Sequence, residues 1–389
     1  MREGIKDKVA VVGFGTIRGG ELFNKGADDM LLEAATHALD QAGLGISDVQ
    51  AAWVGSYYGG LGGSLARALK SGYIPVTRVL NDSATGADAF RNGCHAIAAG
   101  LYDIVMVAGA EKIKDEGVSY LPKGGELKGT GAEQEATRAA IAAAFATRYM
   151  YKYKHSYEEL KRALGHIAVK SHQNATRNPL AYVQQAITLD EYLAAPPAAW
   201  PLGQYDCCAY VDGVAVAILA NPETARQLKG RYALVKGVGS ATSDGSMELT
   251  ADHVSLPVSA IAARIAYEMA GVKNPAEEID EFNVDDSYTI MELLCYESLG
   301  LCPPGQAVKQ VQGGTFDPAG GLPVNTDGGL QCVGYPLGVS GLRILHEPYL
   351  QATGQAGPRQ LKNVRLAAGH AQGGADAWSA IVTVLGARD

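Results

Sequence analysis

Four short segments carry side chains able to do nucleophilic or acid–base work. Ser83 stands in Asn81-Asp82-Ser83-Ala84-Thr85-Gly86, after the strand-like run Val76-Thr77-Arg78-Val79-Leu80 and before a small-residue helix that reaches about Gly100. A helix start concentrates free N–H groups and partial positive charge, which suits an anionic nucleophile or an oxyanion. Serine there either caps the helix or touches a negative oxygen. Asp285 and Asp286 are adjacent and precede a helix, so one suits a cap and Asp285 is a candidate base. Tyr288 follows and faces either the core or a site. Tyr335 lies in Gly334-Tyr335-Pro336-Leu337-Gly338, a turn that gives an aromatic ring little reason to be core. His370 opens Gly369-His370-Ala371-Gln372-Gly373-Gly374, as a satisfied structural histidine or as a site-lining one.

The elements that must position these residues alternate. A strand over Val9–Gly15 is followed by a helix from about Asp28 to Ala42 and a strand over Val49–Gly55. A helix near Leu65 to Leu69, the Ser83 unit and a strand over Ile104–Lys112 come next. Strands and helices in alternation predict a parallel or mixed sheet covered by helices. Residues 112 to about 200 break the rhythm. They are rich in Ala, Tyr and charge, with helical periodicity over Glu133–Tyr151 and Ser156–Asn174, and they read as an inserted helical loop domain. A strand over Val214–Leu219 completes the first half.

The second half restarts at Tyr232–Val238 and repeats the first. Ala35–Leu44 and Ala263–Val272 are both a helix ending in Ala-Gly, then an acidic turn and a strand, with Gly43 and Gly271 lying 228 residues apart. The helix over Gly341–Thr353 and the strand over Val364–Gly369 echo the Ser83 helix and the Ile104 strand. Two echoes in one order predict a duplicated βα unit. The halves divide as residues 1–225 and 230–389, and their packing is expected to bring two helix N-termini together. One belongs to Ser83, and the other follows Pro336. Gly13-Phe14-Gly15-Thr16-Ile17-Arg18-Gly19 has GxGxxxG spacing and no clear helix start, which argues against a dinucleotide loop.

Bulk composition narrows the function. The 389 residues carry a net charge of −8 and no Lys/Arg block, which argues against nucleic acid as partner. Apolar runs are too short and glycine-punctuated to span a bilayer, and the N-terminus has no signal core, so a cytoplasmic location is expected. The six cysteines form no CxxC pair and no zinc spacing, so reduced thiols and no metal are expected.

In this order and spacing the segments resemble the thiolase superfamily, in its sterol-carrier-protein-type branch. The motifs are Ser83–Gly86, Gly109–Lys112, Asp285–Thr289, Asn325–Gly338 and Gly369–Gly374. The resemblance implies an α/β thiolase fold: two βαβαβαββ halves in five layers, α-β-α-β-α, with the inserted loop domain. It also marks three departures. Family members place cysteine where Ser83 stands, and histidines where Asp285 and Tyr335 stand. A hydroxyl is a poor nucleophile without a base, and a neutral phenol is a weak one, so thiolysis through an acyl-enzyme is poorly supported.

Retro-aldol cleavage of a β-hydroxyacyl-CoA asks for less. Tyr335 and Asp285 can move the proton, and backbone N–H groups at Ser83 and Gly373 or Gly374 can hold the enolate oxygen. The resemblance further implies no tightly bound cofactor, coenzyme A as part of the substrate, and a homodimer core with a small zinc-ribbon/OB-fold subunit. Two alternatives stay open: a thiolase for bulky or aromatic 3-oxoacyl-CoA with a displaced nucleophile, for which Cys332 is the candidate, and a non-catalytic scaffold. Tyr335, His370 and the glycine loops argue against the scaffold.

Overall fold

The computed structural model describes residues 4–58, 62–115, 123–126, 135–244, 252–374 and 377–387. The first half supplies β1 (Ala10–Thr16), α1 (Ala27–Ala42), β2 (Ala51–Gly55), α2 (Gly62–Leu69), β3 (Val76–Val79), α3 (Thr85–Ala98) and β4 (Ile104–Glu111). Helices α4 (Arg138–Tyr153) and α5 (Tyr157–Ala175) belong to the insert, and β5 (Gly213–Ala220) closes the half. The second half supplies β6 (Ala233–Thr242), α6 (Pro257–Ala270), β7 (Glu281–Val284), α7 (Thr289–Ser298), α8 (Gly329–Val333), α9 (Ser340–Ile344), α10 (His346–Thr353), β8 (Leu366–Gly373) and β9 (Ser379–Gly386).

The duplication is visible atom by atom. A Cβ on Gly15 would fall 1.9 Å from the Ala34 carbonyl oxygen, and one on Gly13 2.1 Å from that of Ala38. These glycines let α1 lie directly on β1, which is what the Gly-rich start of the chain serves. On β6, a Cβ on Gly239 or Gly237 would fall 1.9 or 2.2 Å from the carbonyls of Ala262 or Ala266 in α6. Register shifts at Val11/Gly13 in β1 and at Val235/Gly237 in β6 mark the same bulge in each copy. Helix α1 ends on Gly43 at φ 69°, and α6 on Gly271 at φ 83°, the left-handed cap that favours glycine.

These nine strands form one hydrogen-bonded sheet, in the order β7-β8-β9-β6-β1-β5-β4-β2-β3. The two halves join where β1 meets β6, at Ala10↔Leu234 and Val11↔Ala233. The two β layers are therefore continuous at one edge. The second half also replaces its third strand by a single bridge, Phe282↔Val324.

Strand alternation sorts side chains into layers. On β4, Met106 and Ala108 join the core under α1, while Val105 and Val107 face α3. On β9, Ile381 and Leu385 enter that same inner core, while Val382 and Val384 face α6 and α7. Helices α3, α9 and α10 thus fill the space between the half-sheets. Here the two expected helix starts do meet. A Cβ on Gly86 would fall 2.7 Å from the Leu342 nitrogen, and one on Gly341 2.9 Å from that of Ala87.

The insert's helices begin at caps that the sequence displays. The Thr137 hydroxyl accepts from the Ala140 N–H at 3.1 Å, and Ser156 forms a reciprocal capping pair with Glu159. Residues 133 and 134 of the first expected helix lie outside the described residues. Helix α5 packs on α7 and α8 of the second half, so the insert reaches across to the segments that carry Asp285 and Tyr335. Among the described residues, no helix is long and apolar enough to cross a membrane.

Candidate active site

Tyr335 is fixed by its neighbours. Gly334 adopts φ 98°, and a Cβ there would fall 2.5 Å from the Val211 side chain. Only glycine allows this approach. The Tyr335 N–H then donates to the Ala209 carbonyl at 2.8 Å. That pairing sets the Tyr335 ring edge-on to Tyr210, with centroids 5.3 Å apart at 84°. Across from them, the chain leaves β7 at Asp285, whose carboxylate accepts the Ser287 N–H at 3.1 Å. The Ser287 carbonyl takes the Cys208 N–H at 3.0 Å, which ties this turn to the Tyr210 segment. Tyr288 is the residue that enters α7. The side chains of Tyr335, Tyr210, Asp285, Ser287, Tyr288 and Met291 line one cleft, together with Arg138 at the start of α4 and with Gln372 and Gly374 at the end of β8.

Burial governs the electrostatics. It drives the Tyr335 phenol well above its ordinary range; Asp285 adds to this, and the Arg138 charge opposes it. The phenol is therefore neutral at neutral pH. Burial also raises the Asp285 carboxyl to about 6, against hydrogen bonds from Ser287 and the Gln372 backbone N–H and the charge of Arg138. It is thus largely ionised at neutral pH yet close enough to its midpoint to exchange a proton. Burial disfavours the Arg138 charge, the Asp82 carboxylate favours it, and its pKa stands above the ordinary value.

Ser83 lies behind this cleft. Its hydroxyl donates to the Gln372 carbonyl at 2.8 Å, and its N–H is held by Asp82 at 2.7 Å. The first turn of α3 is entered from Ala84, so Ser83 does not cap it. Its role in the structure is to brace the Gln372–Gly374 end of β8. Gly373 packs in the same place, where a Cβ would fall 2.8 Å from the Asn81 carbonyl oxygen. Gly374, at φ 85°, turns the chain at the cleft wall.

Two expected residues are elsewhere. His370 is fully buried, with Nε2 2.9 Å from the Ser259 hydroxyl and Nδ1 3.5 Å from Cys295, and burial pushes it down to about 3. It is a neutral core histidine: it shares the face of β8 that carries Gln372, but lies two residues deeper along the strand, enclosed between Ser259 of α6 and Cys295 of α7. Cys332 is also fully buried, packed with Ala175 and Ala181, and burial pushes its thiol well up. A protonated thiol outside the cleft is no nucleophile. Neither aspartate caps α7, which is entered from Tyr288 without a side-chain cap; Asp286 instead accepts from the Leu330 and Gln331 N–H groups in the first turn of α8, at 2.6 and 3.3 Å. Arg138, Tyr210 and Gln372 were not legible in advance. Tyr210 is brought in only by its pairing with Tyr335, and Arg138 only by the placement of the insert.

Comparison with known proteins agrees with this architecture. Residues 9–189 match the thiolase N-terminal domain, and residues 239–387 match the thiolase C-terminal domain-like family. The acetyl-CoA acetyltransferase of Methanothermobacter thermautotrophicus is 31% identical over 96% of this chain and 98% of its own length. The chain belongs to the thiolase family. Sterol carrier protein 2 of Oryctolagus cuniculus is 29% identical, over 93% of this chain and 69% of its own. Among solved structures, the Ltp2-ChsH2(DUF35) aldolase superposes with a TM-score of 0.85 at 24% identity, covering 99% of both chains. The thiolase fold is therefore built here around a cleft whose lining contains tyrosine, carboxylate and arginine, and neither cysteine nor histidine among the described residues.

Proposed function

We propose that this thiolase-family protein is a lyase that cleaves a β-hydroxyacyl-CoA by retro-aldol chemistry. The observation that carries the reading is the composition of the cleft. Tyr335, Asp285 and Tyr288 meet there, while Cys332 and His370 are buried elsewhere. The fold shared with the Ltp2-ChsH2(DUF35) aldolase supports the same reading.

In this scheme the Asp285 carboxylate takes the proton of the β-hydroxyl. The C–O bond becomes a carbonyl as the Cα–Cβ bond breaks, and the electron pair passes to the thioester as an enolate. The Gly374 N–H holds the enolate oxygen, since the Ser83 N–H is already committed to Asp82. The Tyr335 phenol, held neutral, protonates the enolate carbon, and protonated Asp285 returns its proton to the phenolate. The products are an aldehyde or ketone and a shortened acyl-CoA. No tightly bound cofactor enters. A homodimer core, a cytoplasmic setting and a small zinc-ribbon/OB-fold subunit belong to the proposal, the last supported by the second component in that aldolase's name.

The test is product analysis of the protein, alone and with its co-expressed partner. It is given a β-hydroxyacyl-CoA without free CoA, and separately a β-ketoacyl-CoA with free CoA. Carbonyl product from the first supports the lyase. Cleavage of only the second supports the thiolase alternative instead.

A further inference from the structure

Among the described residues, Arg138 is a cation in the reaction cleft whose one carboxylate contact is long. Its guanidinium approaches one carboxylate, Asp82 Oδ1, at 3.5 Å, and its side chain is 18% exposed. A charge-assisted contact between such groups closes to about 2.7–2.9 Å. Asp82 does not close it, because the same oxygen is held 2.7 Å from the Ser83 N–H, in a backbone fixed at φ 47°. Arginine offers five N–H donors in a planar fork, and the Asp82 contact uses little of it. The other carboxylate of the cleft, Asp285, is engaged by the Ser287 and Gln372 N–H groups. The remaining polar neighbours, Tyr210, Tyr288 and Tyr335, are phenols that burial keeps neutral. A mostly buried cation with unused donors is costly unless an anion completes it.

We infer that Arg138 receives a carboxylate carried on the acyl unit of the substrate, so that the substrate class is a β-hydroxyacyl-CoA with an acidic acyl chain. The fork geometry of guanidinium matches a carboxylate bidentately, which lysine would not reproduce. The inference rests on the lyase reading for its reaction, but not for its test. The contact also turns the acyl chain toward Asp285 and Tyr335, because all three side chains open on one cleft.

The test uses binding rather than turnover. Succinyl-CoA and butyryl-CoA have four-carbon acyl chains and differ in a terminal carboxylate. Calorimetric titration of the full-length protein is expected to give at least tenfold tighter binding of succinyl-CoA. Arg138→Gln is expected to abolish that preference while leaving butyryl-CoA affinity within about threefold, and Arg138→Lys to restore only part of it. Equal affinities in the wild type, a preference that survives Arg138→Gln, or failure of both ligands to bind would each overturn the inference. Melting curves of the variants separate loss of preference from loss of fold. None of these outcomes bears on product analysis with a β-hydroxyacyl-CoA, so the substrate class and the lyase reaction fail separately.

Discussion

At the scale of residues, the proposed lyase divides proton work between a neutral donor, Tyr335, and an ionised acceptor, Asp285. Tyr335→Phe removes the donor with little change in shape. It is expected to lower turnover well over tenfold, about 1.4 kcal/mol or more of transition-state stabilisation, in a product assay. Asp285 gives a pH signature. Its folded value of about 6 lies above the ordinary carboxylate value, so activity should rise with pH through a limb near 6 and then level. Asp285→Asn should lose that limb and cut the rate by about 10²–10⁴. The same shift has a stability sign. A raised carboxyl contributes stability below pH 4 that is lost as the pH rises through about 6, so Asp285→Asn should melt above the wild type at pH 7. An unchanged or lower melting temperature at pH 7 would contradict this placement of the carboxyl.

At the scale of elements, helix-on-strand contact is set by glycine. Gly15 and Gly239 lie at equivalent places in the two copies, each with no room for a Cβ beneath its helix. Alanine at either site must push the helix off the strand, and overpacking of this kind costs about 1–3 kcal/mol. Urea denaturation is expected to show similar losses for Gly15→Ala and Gly239→Ala, and a negligible loss for Gly63→Ala, where a Cβ meets nothing. This duplicated frame was legible in the sequence, because Ala-Gly helix ends, acidic turns and strand runs recur at one offset. Tyr335, Asp285 and Tyr288 were legible through the turns that present them. His370 was not, because its glycine-rich neighbourhood resembles a loop while it lies within β8, deep enough to be covered by Ser259 and Cys295. Arg138 carried no local signal. It reaches the cleft through the packing of α4 on α7, a contact between distant parts of the chain.

At the scale of the whole molecule, the two halves enclose α3 and α9, and the cleft forms where the ends of β7 and β8 meet the insert and the Tyr335 turn. The fold keeps a histidine in the core, outside the lining of the cleft. Burial lowers His370 below its ordinary value, so its stability contribution is present above pH 6.5 and lost as the pH falls toward 3. The cost of His370→Gln, read from urea unfolding, should therefore be largest above pH 6.5 and shrink below it; a cost independent of pH would mean that the ring titrates normally. The central claim is that a thiolase frame here breaks a carbon–carbon bond without forming an acyl-enzyme. Intact-protein mass spectrometry during turnover of a β-hydroxyacyl-CoA, with the carbonyl product quantified in the same samples, tests it most directly. The account predicts carbonyl release from protein of unmodified mass at every time point. A mass increase equal to one acyl group that forms and decays with turnover would contradict it.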